Sequence, residues 1–351
     1  MGLRALAGAA LIAALGLNAQ ADPLRIATYG PDLSRDGPGL LLRDLTRTGK
    51  KADPQIAAVV QVIVETRPDI LLLTDIDWDY DGLALTAFAD LLAKAGLDYP
   101  HRFAARPNAG MATDLDIDGD GRTRGAADAQ GFGEFTGQGG MAILSRHPIG
   151  PVVDHSGFLW RDLPGQIMPK LPPEVTAALR LSSSAHWDAT ITIAGKPLHL
   201  LAMAATPPVF DGPEDMNGRR NHDELAFWLH HLPDAPFVLA GMLNVDPADG
   251  DGRADALARI MAHVTDPEPR SKGGAAAKGG VNDGQKGDPA LDTGNWPDDK
   301  PPGNLRADYV LPKKGLKVLD AGVLWPEAGP VAEAARTASA HRLVWVDLDW
   351  P

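Results

Sequence analysis

The sequence predicts an α/β protein whose sheets mix parallel and antiparallel strands and carry helices on the outside. Short apolar runs that are typical of buried strands, such as Ile70–Leu73, alternate along the chain with segments whose apolar residues recur at helical spacing, such as Pro54–Thr66. The segment Ala194-Gly195-Lys196-Pro197 has the pattern of a hairpin turn, which requires antiparallel pairing of the strands on either side. Together these patterns favour a mixed sheet system.

The predicted elements have local reasons for their bounds. The helix over 54–66 stops before Pro68, and the helix over 83–95 is closed by Gly96, because both residue types end helices. The predicted strands cover 24–29, 70–73, 141–144, 189–193, 198–203, 237–240, 309–311 and 343–346.

Length and composition limit the class of protein. A chain of 351 residues can bury a large core as one domain, and the Gly- and Pro-rich segment 265–304 is predicted to be an excursion loop of that domain. The net charge of −13 argues against long nucleic acid as a partner, because binding many phosphates needs clustered Lys and Arg. The absence of Cys excludes disulfides, thiolate catalysis and cysteine-ligated zinc. We expect a monomer.

The amino terminus has the pattern of a signal peptide. Arg4 supplies the positive charge, residues 5–17 form a short apolar run, and Ala19-Gln20-Ala21 fits the cleavage pattern. The apolar run is too short to span a bilayer, and no other run in the sequence is long and apolar enough. We therefore predict cleavage after residues 1–21, a mature domain over 22–351 and a periplasmic or secreted location.

An acidic loop is predicted to bind calcium. Its carboxylates alternate with other residues, and glycines stand where a tight turn is needed, as in the first half of an EF-hand loop. A solvated acidic loop without an ion is the alternative. The full EF-hand pattern is not met, because the twelfth position is Ala127 and only the next residue is acidic. The predicted ligands are Asp114, Asp116, Asp118, Asp120 and Asp128.

Several motifs, in this order, resemble those of the endonuclease/exonuclease/phosphatase family. The segment Gly140–Arg146 reads GMAILSR, Ala240–Asn244 stands where the family has G-D-x-N, Arg306–Tyr309 matches R-x-D-Y, and Ser339–His341 matches S-D-H. The resemblance extends from about Leu24 to Asp349, and 206–224 is similar to an exported bacterial branch of the family. It implies a four-layer sandwich of two mixed, mainly antiparallel sheets with helices outside.

The resemblance also implies metal-assisted hydrolysis of a phosphodiester or of a phosphorylated small molecule, with Mg²⁺ or Mn²⁺. Asp75 stands at the family's metal-ligand position, which usually carries Glu, and Asp77 is a candidate replacement for a lost ligand. Asn244 would position the phosphate or the nucleophile. Asp308 and His341 would form a carboxylate–imidazole pair, in which the carboxylate fixes the imidazole tautomer.

Four positions depart from the family's pattern. Gly30 replaces an Asn, Met242 replaces the Asp of G-D-x-N, and Ala340 replaces the Asp of S-D-H. Ala204 stands at the likeliest position of a missing His. A thioether is a poor ligand for a hard cation, and each lost transition-state contact slows the reaction. The resemblance therefore implies weakened chemistry.

A short polar segment is a candidate for anion binding. Arg220, Asn221 and His222 could approach an anionic substrate, because Arg matches phosphate bidentately. The alternative is structural, since a helix predicted over 221–232 would begin at Asn221 and need a capping residue there.

Three hypotheses remain from the sequence. The first is an exported metal-dependent phosphoesterase with a rearranged ligand set. The second is a catalytically silent relative that binds an anionic ligand in the inherited cleft. The third is a calcium-stabilised interaction protein. Each site residue also has a structural alternative, because a carboxylate at a strand end can cap a loop or pair with Arg, and His341 could be a buried structural histidine.

Overall fold

The computed structural model describes residues 23–350, so the predicted signal peptide lies outside the described residues. The chain forms eleven strands and eight helices in the described part. The strands are β1 Leu24–Tyr29, β2 Ile70–Ile76, β3 His101–Phe103, β4 Gly140–Ser145, β5 Ile149–Asp154, β6 His186–Ile193, β7 Lys196–Ala204, β8 Phe237–Met242, β9 Asp308–Pro312, β10 Val318–Val323 and β11 Val344–Leu348. The helices are α1 Leu40–Leu45, α2 Pro54–Thr66, α3 Leu83–Lys94, α4 Pro173–Ala178, α5 Met216–Leu229, α6 Asp255–Ile260, α7 Lys272–Ala276 and α8 Pro330–Ala338.

The strands form two mixed sheets. One has the order β10-β11-β1-β2-β4-β3, and the other has the order β5-β6-β7-β8-β9. Only β1 with β2 and β7 with β8 are parallel pairs, and the remaining pairs between these strands are antiparallel. The predicted fold class is therefore confirmed.

The two sheets and the outer helices form a four-layer sandwich, because side chains alternate between the two faces of each strand. In β2, Ile70 and Leu72 belong to a core shared with the second sheet, whereas Leu71 and Leu73 belong to a core shared with α2, α3 and α8. The second sheet repeats this arrangement, because side chains on the other face of β7 and β8 pack against α5 and α6. No helix among residues 23–350 is long and apolar enough to cross a membrane.

The helix predicted over 221–232 was placed incorrectly. α5 begins at Met216, with Asp215 at its N-cap, so Asn221 lies inside the helix and does not cap it. The stretch 220–224 is buried although its residues are polar, because their side chains bind backbone groups of neighbouring loops. A rule that places polar residues at helix ends or surfaces therefore misreads this segment.

The other predicted strands and helices are present with small shifts. Three strands were not predicted: β5 and β10, which lie at sheet edges and have several exposed positions, and β3, which has only three residues. α8 packs through small alanine side chains on α2. Between α6 and β9, the segment 265–304 contains α7 and two 3₁₀ turns and none of the eleven strands.

Candidate active site

The ends of several strands meet at one edge of the sandwich. Ala204, Met242 and Asp308 are register partners across β7, β8 and β9, so they form a row. A methyl group built on Gly30 would lie 3.1 Å from Cε of Met242 and 3.3 Å from Cγ of His341. The structure therefore brings the family-like motif positions of both sheets together.

His341 and Asp308 form a buried pair. Nδ1 of His341 lies 2.7 Å from Oδ2 of Asp308, whose side chain is fully buried. The carboxylate accepts a hydrogen bond from Nδ1–H, which leaves the lone pair of the neutral imidazole on Nε2. The predicted carboxylate–imidazole contact is thus present in the structure.

Two residues of the loop 265–304 contact this pair. The sequence did not indicate these contacts. Oγ1 of Thr293 donates a hydrogen bond to Oδ2 of Asp308 at 2.9 Å and accepts the backbone N–H groups of Ala307 and Asp308, both at 2.9 Å. Trp296 of the same loop places its ring edge-on to His341, with centroids 5.2 Å apart. Thr293 therefore fixes the carboxylate that orients the imidazole.

Three polar side chains of the site stand on residues with left-handed backbone. The φ angles are 50° at Asp32, 54° at Asp75 and 52° at Asn244. This conformation is uncommon outside glycine, although Asp and Asn tolerate it better than other residues. Non-glycine residues in this region often lie at functional sites, and three of them converge here.

Asp32 is the site residue that sequence reasoning missed. It follows β1 by three residues, and its Oδ2 accepts the backbone N–H of Ala340 at 3.0 Å. Its carboxyl group also lies within hydrogen-bonding reach of the carboxyl group of Asp75. The available indication was a carboxylate just after a predicted strand, but the family pattern draws attention to Gly30 instead.

The site carries excess negative charge. Burial raises the pKa of Asp75 to about 6, and the negative charge of Asp32 adds to this effect, whereas His341 opposes it. Burial lowers the pKa of His341, but Asp308, with Asp32 and Asp75, outweighs it, so the net pKa lies above the usual value. Among residues 23–350, no Lys or Arg forms an ion pair with Asp32, Asp75 or Asp308.

The donor set fits one hard divalent cation beside Asp75. The carboxyl group of Asp32 is close enough to raise the pKa of Asp75, and no N–H or O–H group of the described residues donates to the carboxylate of Asp75. Mg²⁺ is commonly held by one or two carboxylates together with water. Ligation does not fit at Met242, because its thioether is a soft donor.

Asn244 and Asp77 have defined contacts beside the site. Nδ2 of Asn244 donates to the carbonyl of Ala205 at 2.8 Å, which leaves its amide oxygen for water or substrate. Asp77 accepts the backbone N–H groups of Gly139 at 3.2 Å and Arg35 at 3.0 Å. Asp77 therefore anchors two loops next to Asp75, whereas Asn244 has the freedom to position a ligand.

The side chains of the three candidate residues for anion binding are occupied by hydrogen bonds within the protein. The guanidinium of Arg220 donates to the backbone carbonyls of four residues: Gln130, Arg180, Leu181 and Ser182. Asn221 donates to the carbonyls of Thr206 and Leu243, both at 2.8 Å. His222 lies between Asp223 and Asp255. These contacts join loops to α5 and give the substrate-binding interpretation no support.

The acidic loop assembles part of the predicted calcium set. Carboxylate oxygens of Asp116, Asp118 and Asp120 lie within 4.8 Å of one another. Asp114 instead pairs with Arg124 at 2.7 Å. Asp128 is buried and accepts the backbone N–H groups of Ile117 and Gly125 at 2.9 Å. The three clustered carboxylates therefore remain the candidate ligands.

Comparisons with known proteins agree with this architecture. The family model described as Endonuclease/Exonuclease/phosphatase family matches residues 28–341, so the chain belongs to the endonuclease/exonuclease/phosphatase family. A comparison with curated proteins found no significant match.

Two solved structures illustrate the likeness of fold. An endonuclease/exonuclease/phosphatase from Beutenbergia cavernae DSM 12333 is 20% identical, with a TM-score of 0.56, over 93% of this chain and 71% of that chain. An endonuclease/exonuclease/phosphatase family protein from Leptotrichia buccalis C-1013-b is 14% identical, with a TM-score of 0.51, over 93% of this chain and 100% of that chain. At these identities the likeness supports the fold.

Proposed function

We propose that this protein is a metal-dependent phosphoesterase of low turnover, acting on a phosphodiester or a phosphorylated small molecule with Mg²⁺ or Mn²⁺. The observation that carries the proposal is the buried pair of His341 and Asp308, 2.7 Å apart, near the carboxyl group of Asp75. A base oriented by a carboxylate, next to a site for a hard cation, is suited to hydrolysis of a phosphoester.

The residues have separate roles in this reaction. A bound divalent cation would polarise the phosphoryl oxygen, and Asp75 would be one of its ligands. Nε2 of His341 takes a proton from the attacking water, and Asp308 stabilises the imidazolium that forms. The amide of Asn244, fixed by its bond to Ala205, orients the phosphate or the water.

Turnover is expected to be low because two positions of the row across β7, β8 and β9 lack polar groups. Ala204 and Met242 occupy the places where the resemblance implies a His and an Asp. Removing one transition-state contact from an enzyme commonly costs about 10²-fold to 10³-fold in turnover. The remaining residues still form a base and a cation site.

The test is hydrolysis of bis-p-nitrophenyl phosphate and p-nitrophenyl phosphate with Mg²⁺ or Mn²⁺. We expect slow turnover that requires the metal and falls at least about 100-fold in His341→Ala. His230→Ala is the matched control, because His230 is exposed. Turnover that survives His341→Ala would contradict the proposed base.

A second candidate function is binding of an anionic ligand without hydrolysis, and the apolar side chains of Ala204 and Met242 favour it. This candidate predicts saturable binding of a phosphorylated compound and no turnover by the natural chain. A gain of turnover in Met242→Asp would then show that the cleft lacks a carboxylate and is otherwise competent.

Export is a further part of the proposal and rests on the sequence of residues 1–21 alone. Amino-terminal sequencing of the protein from a periplasmic or culture fraction tests it. A mature chain that begins at Asp22 supports cleavage after Ala21, and an intact Met1 in those fractions contradicts it.

A further inference from the structure

We infer that Asp32 replaces the carboxylate that is absent at Ala340 and serves, with Asp75, as the second protein ligand of the divalent cation. This inference rests on the proposed function, because it specifies the metal site of the same centre. It concerns a residue that lies outside the motifs by which the chain resembles its family.

The position of Asp32 is defined by its contact with Ala340. The backbone N–H of Ala340 donates to Oδ2 of Asp32 at 3.0 Å, although the two residues are 308 positions apart in the sequence. The carboxylate of Asp32 therefore lies against the residue at which the resemblance places a carboxylate. A side chain from a different strand end thus supplies the same chemical group at this point.

The loop that carries Asp32 is attached to β2 on the other side of the site. The backbone N–H of Leu33 donates to the carbonyl of Asp75 at 3.0 Å, and the N–H of Asp77 donates to the carbonyl of Leu33 at 3.2 Å. Leu33 is fully buried, which anchors this short pairing. Asp32 is therefore held beside Asp75 by the two backbone hydrogen bonds of its neighbour Leu33.

The proximity of the two carboxyl groups, which follows from the pairing of Leu33 with Asp75, favours a positive charge or a proton between them. Like charges close together in a partly buried site repel strongly. The described residues supply no Lys or Arg ion pair to either carboxylate, and the nearby imidazole of His341 is already paired with Asp308. Oδ1 of Asp308 is also buried without a hydrogen-bond partner among the described residues.

A divalent cation satisfies these groups with common coordination chemistry. Mg²⁺ and Mn²⁺ accept carboxylate oxygens, and Mg²⁺ is typically held by one or two carboxylates while water and substrate phosphate complete its shell. A two-aspartate site explains how the chain could retain a metal although Gly30, Met242 and Ala340 lack ligand groups.

The direct test is Mn²⁺ binding to the full mature protein, measured by electron paramagnetic resonance of the free ion. We expect Asp32→Asn and Asp75→Asn each to weaken binding at this site at least about 10-fold. Asp36→Asn is the matched control, because it removes the same charge from an exposed position in the same loop and should bind Mn²⁺ as the natural chain does. The acidic loop is unchanged in every variant, so its contribution cancels in the differences.

A melting experiment separates a ligand from a structural residue. Asn retains an oxygen that can accept the N–H of Ala340, and it removes the repulsion with Asp75. The melting temperature of Asp32→Asn in EDTA should therefore equal or exceed that of the natural chain, whereas the rise caused by Mn²⁺ should be smaller. A fall in EDTA as large as the fall in Mn²⁺ would show a structural role and overturn the inference.

A rescue variant distinguishes loss of a metal ligand from poor folding in Asp32→Asn. Adding Ala340→Asp to Asp32→Asn should recover Mn²⁺ affinity to within a few-fold of the natural chain. Unchanged Mn²⁺ binding in Asp32→Asn, or no Mn²⁺ binding by the natural chain beyond that of Asp75→Asn, refutes the inference. Mn²⁺ binding that depends on Asp32, without any hydrolysis, would preserve the inference and refute the proposed function. Hydrolysis together with Mn²⁺ binding that does not depend on Asp32 would refute the inference and preserve the proposed function.

Discussion

At the residue scale, the site depends on polar side chains that unusual backbone conformations aim at one point. Asp32, Asp75 and Asn244 all adopt positive φ angles at strand ends. Such residues cost conformational energy and persist where the surrounding structure requires them. The hydrogen bonds that join Leu33 to Asp75 and Asp77, and Asn244 to Ala205 and Ala307, supply that requirement. Single residues also determine which groups the site lacks, because Ala204 and Met242 carry apolar side chains.

Met242→Asp should raise metal-dependent turnover of bis-p-nitrophenyl phosphate by about 10-fold, because it restores a carboxylate in the row between Ala204 and Asp308. Initial rates with Mn²⁺ measure the effect. Met242→Asn is the control, since it is similar in size to Asp but neutral. An equal gain in both variants would mean that relief of packing, and not charge, is responsible.

At the element scale, α5 joins the loops that surround the site. The buried guanidinium of Arg220 binds the carbonyls of the loops before β4 and before β6, and the fully buried carboxylate of Glu224 accepts the backbone N–H groups of Ser183 and Thr206, both at 2.6 Å. Thr206 follows β7, next to the row of site positions. The buried polar side chains of α5 thus hold these loops in place through hydrogen bonds to the loop backbone.

Arg220→Met should lower the free energy of unfolding by about 3–5 kcal/mol, because it leaves buried carbonyl groups unpaired and removes the positive charge nearest to Glu224. Urea denaturation measures this loss. Arg219→Met is the matched control, because Arg219 is adjacent and partly exposed. It should lower the free energy of unfolding by about 1 kcal/mol or less. Equal losses in both variants would contradict the buried role of Arg220.

His222 should make the contact between α5 and α6 sensitive to pH. Its hydrogen bond to Asp223 raises its pKa most, burial opposes this, and Asp255 of α6 raises it further, so the folded pKa lies above the unfolded value of about 6.5. The charged form is therefore favoured by folding. Its stabilisation is complete below about pH 6.5 and is lost as the pH rises through the folded pKa.

The corresponding measurement is the difference in free energy of unfolding between the natural chain and His222→Gln across this pH range. That difference should shrink as the pH rises. His230→Gln, at an exposed position, should show no such trend. A difference that stays constant or grows with pH would exclude protonated His222 as the stabilising form.

At the scale of the whole molecule, two stacked sheets hold the site and loops extend from their edges. The core between the sheets contains side chains of both, including Leu72, Ile143, Trp187 and Val238. Ala204 belongs to this core and Met242 packs against it, so the apolar side chains at these two site positions extend the core. A bound ion in the acidic loop would add to the stability of the fold.

Calcium should raise the melting temperature of the protein if the clustered carboxylates of Asp116, Asp118 and Asp120 bind it. The stabilisation would be roughly 2.7 kcal/mol at a free Ca²⁺ concentration one hundred times the Kd. Thermal melting with Ca²⁺ or EDTA measures it. Asp118→Asn should abolish the rise and Asp98→Asn, an exposed control, should not. A rise that persists in Asp118→Asn would place the ion elsewhere.

The sequence by itself determined the layered α/β fold, most of its strands and the motif residues Asp308, His341, Asn244 and Asp75, because apolar periodicity and short motifs act over a few neighbouring positions. Only the tertiary structure decided which polar groups meet. Asp32 reaches Ala340 across 308 positions, Thr293 contacts Asp308 from the loop 265–304, and the guanidinium of Arg220 binds carbonyls of distant loops. These contacts are long-range hydrogen bonds, whose partners depend on packing and leave no local pattern in the chain.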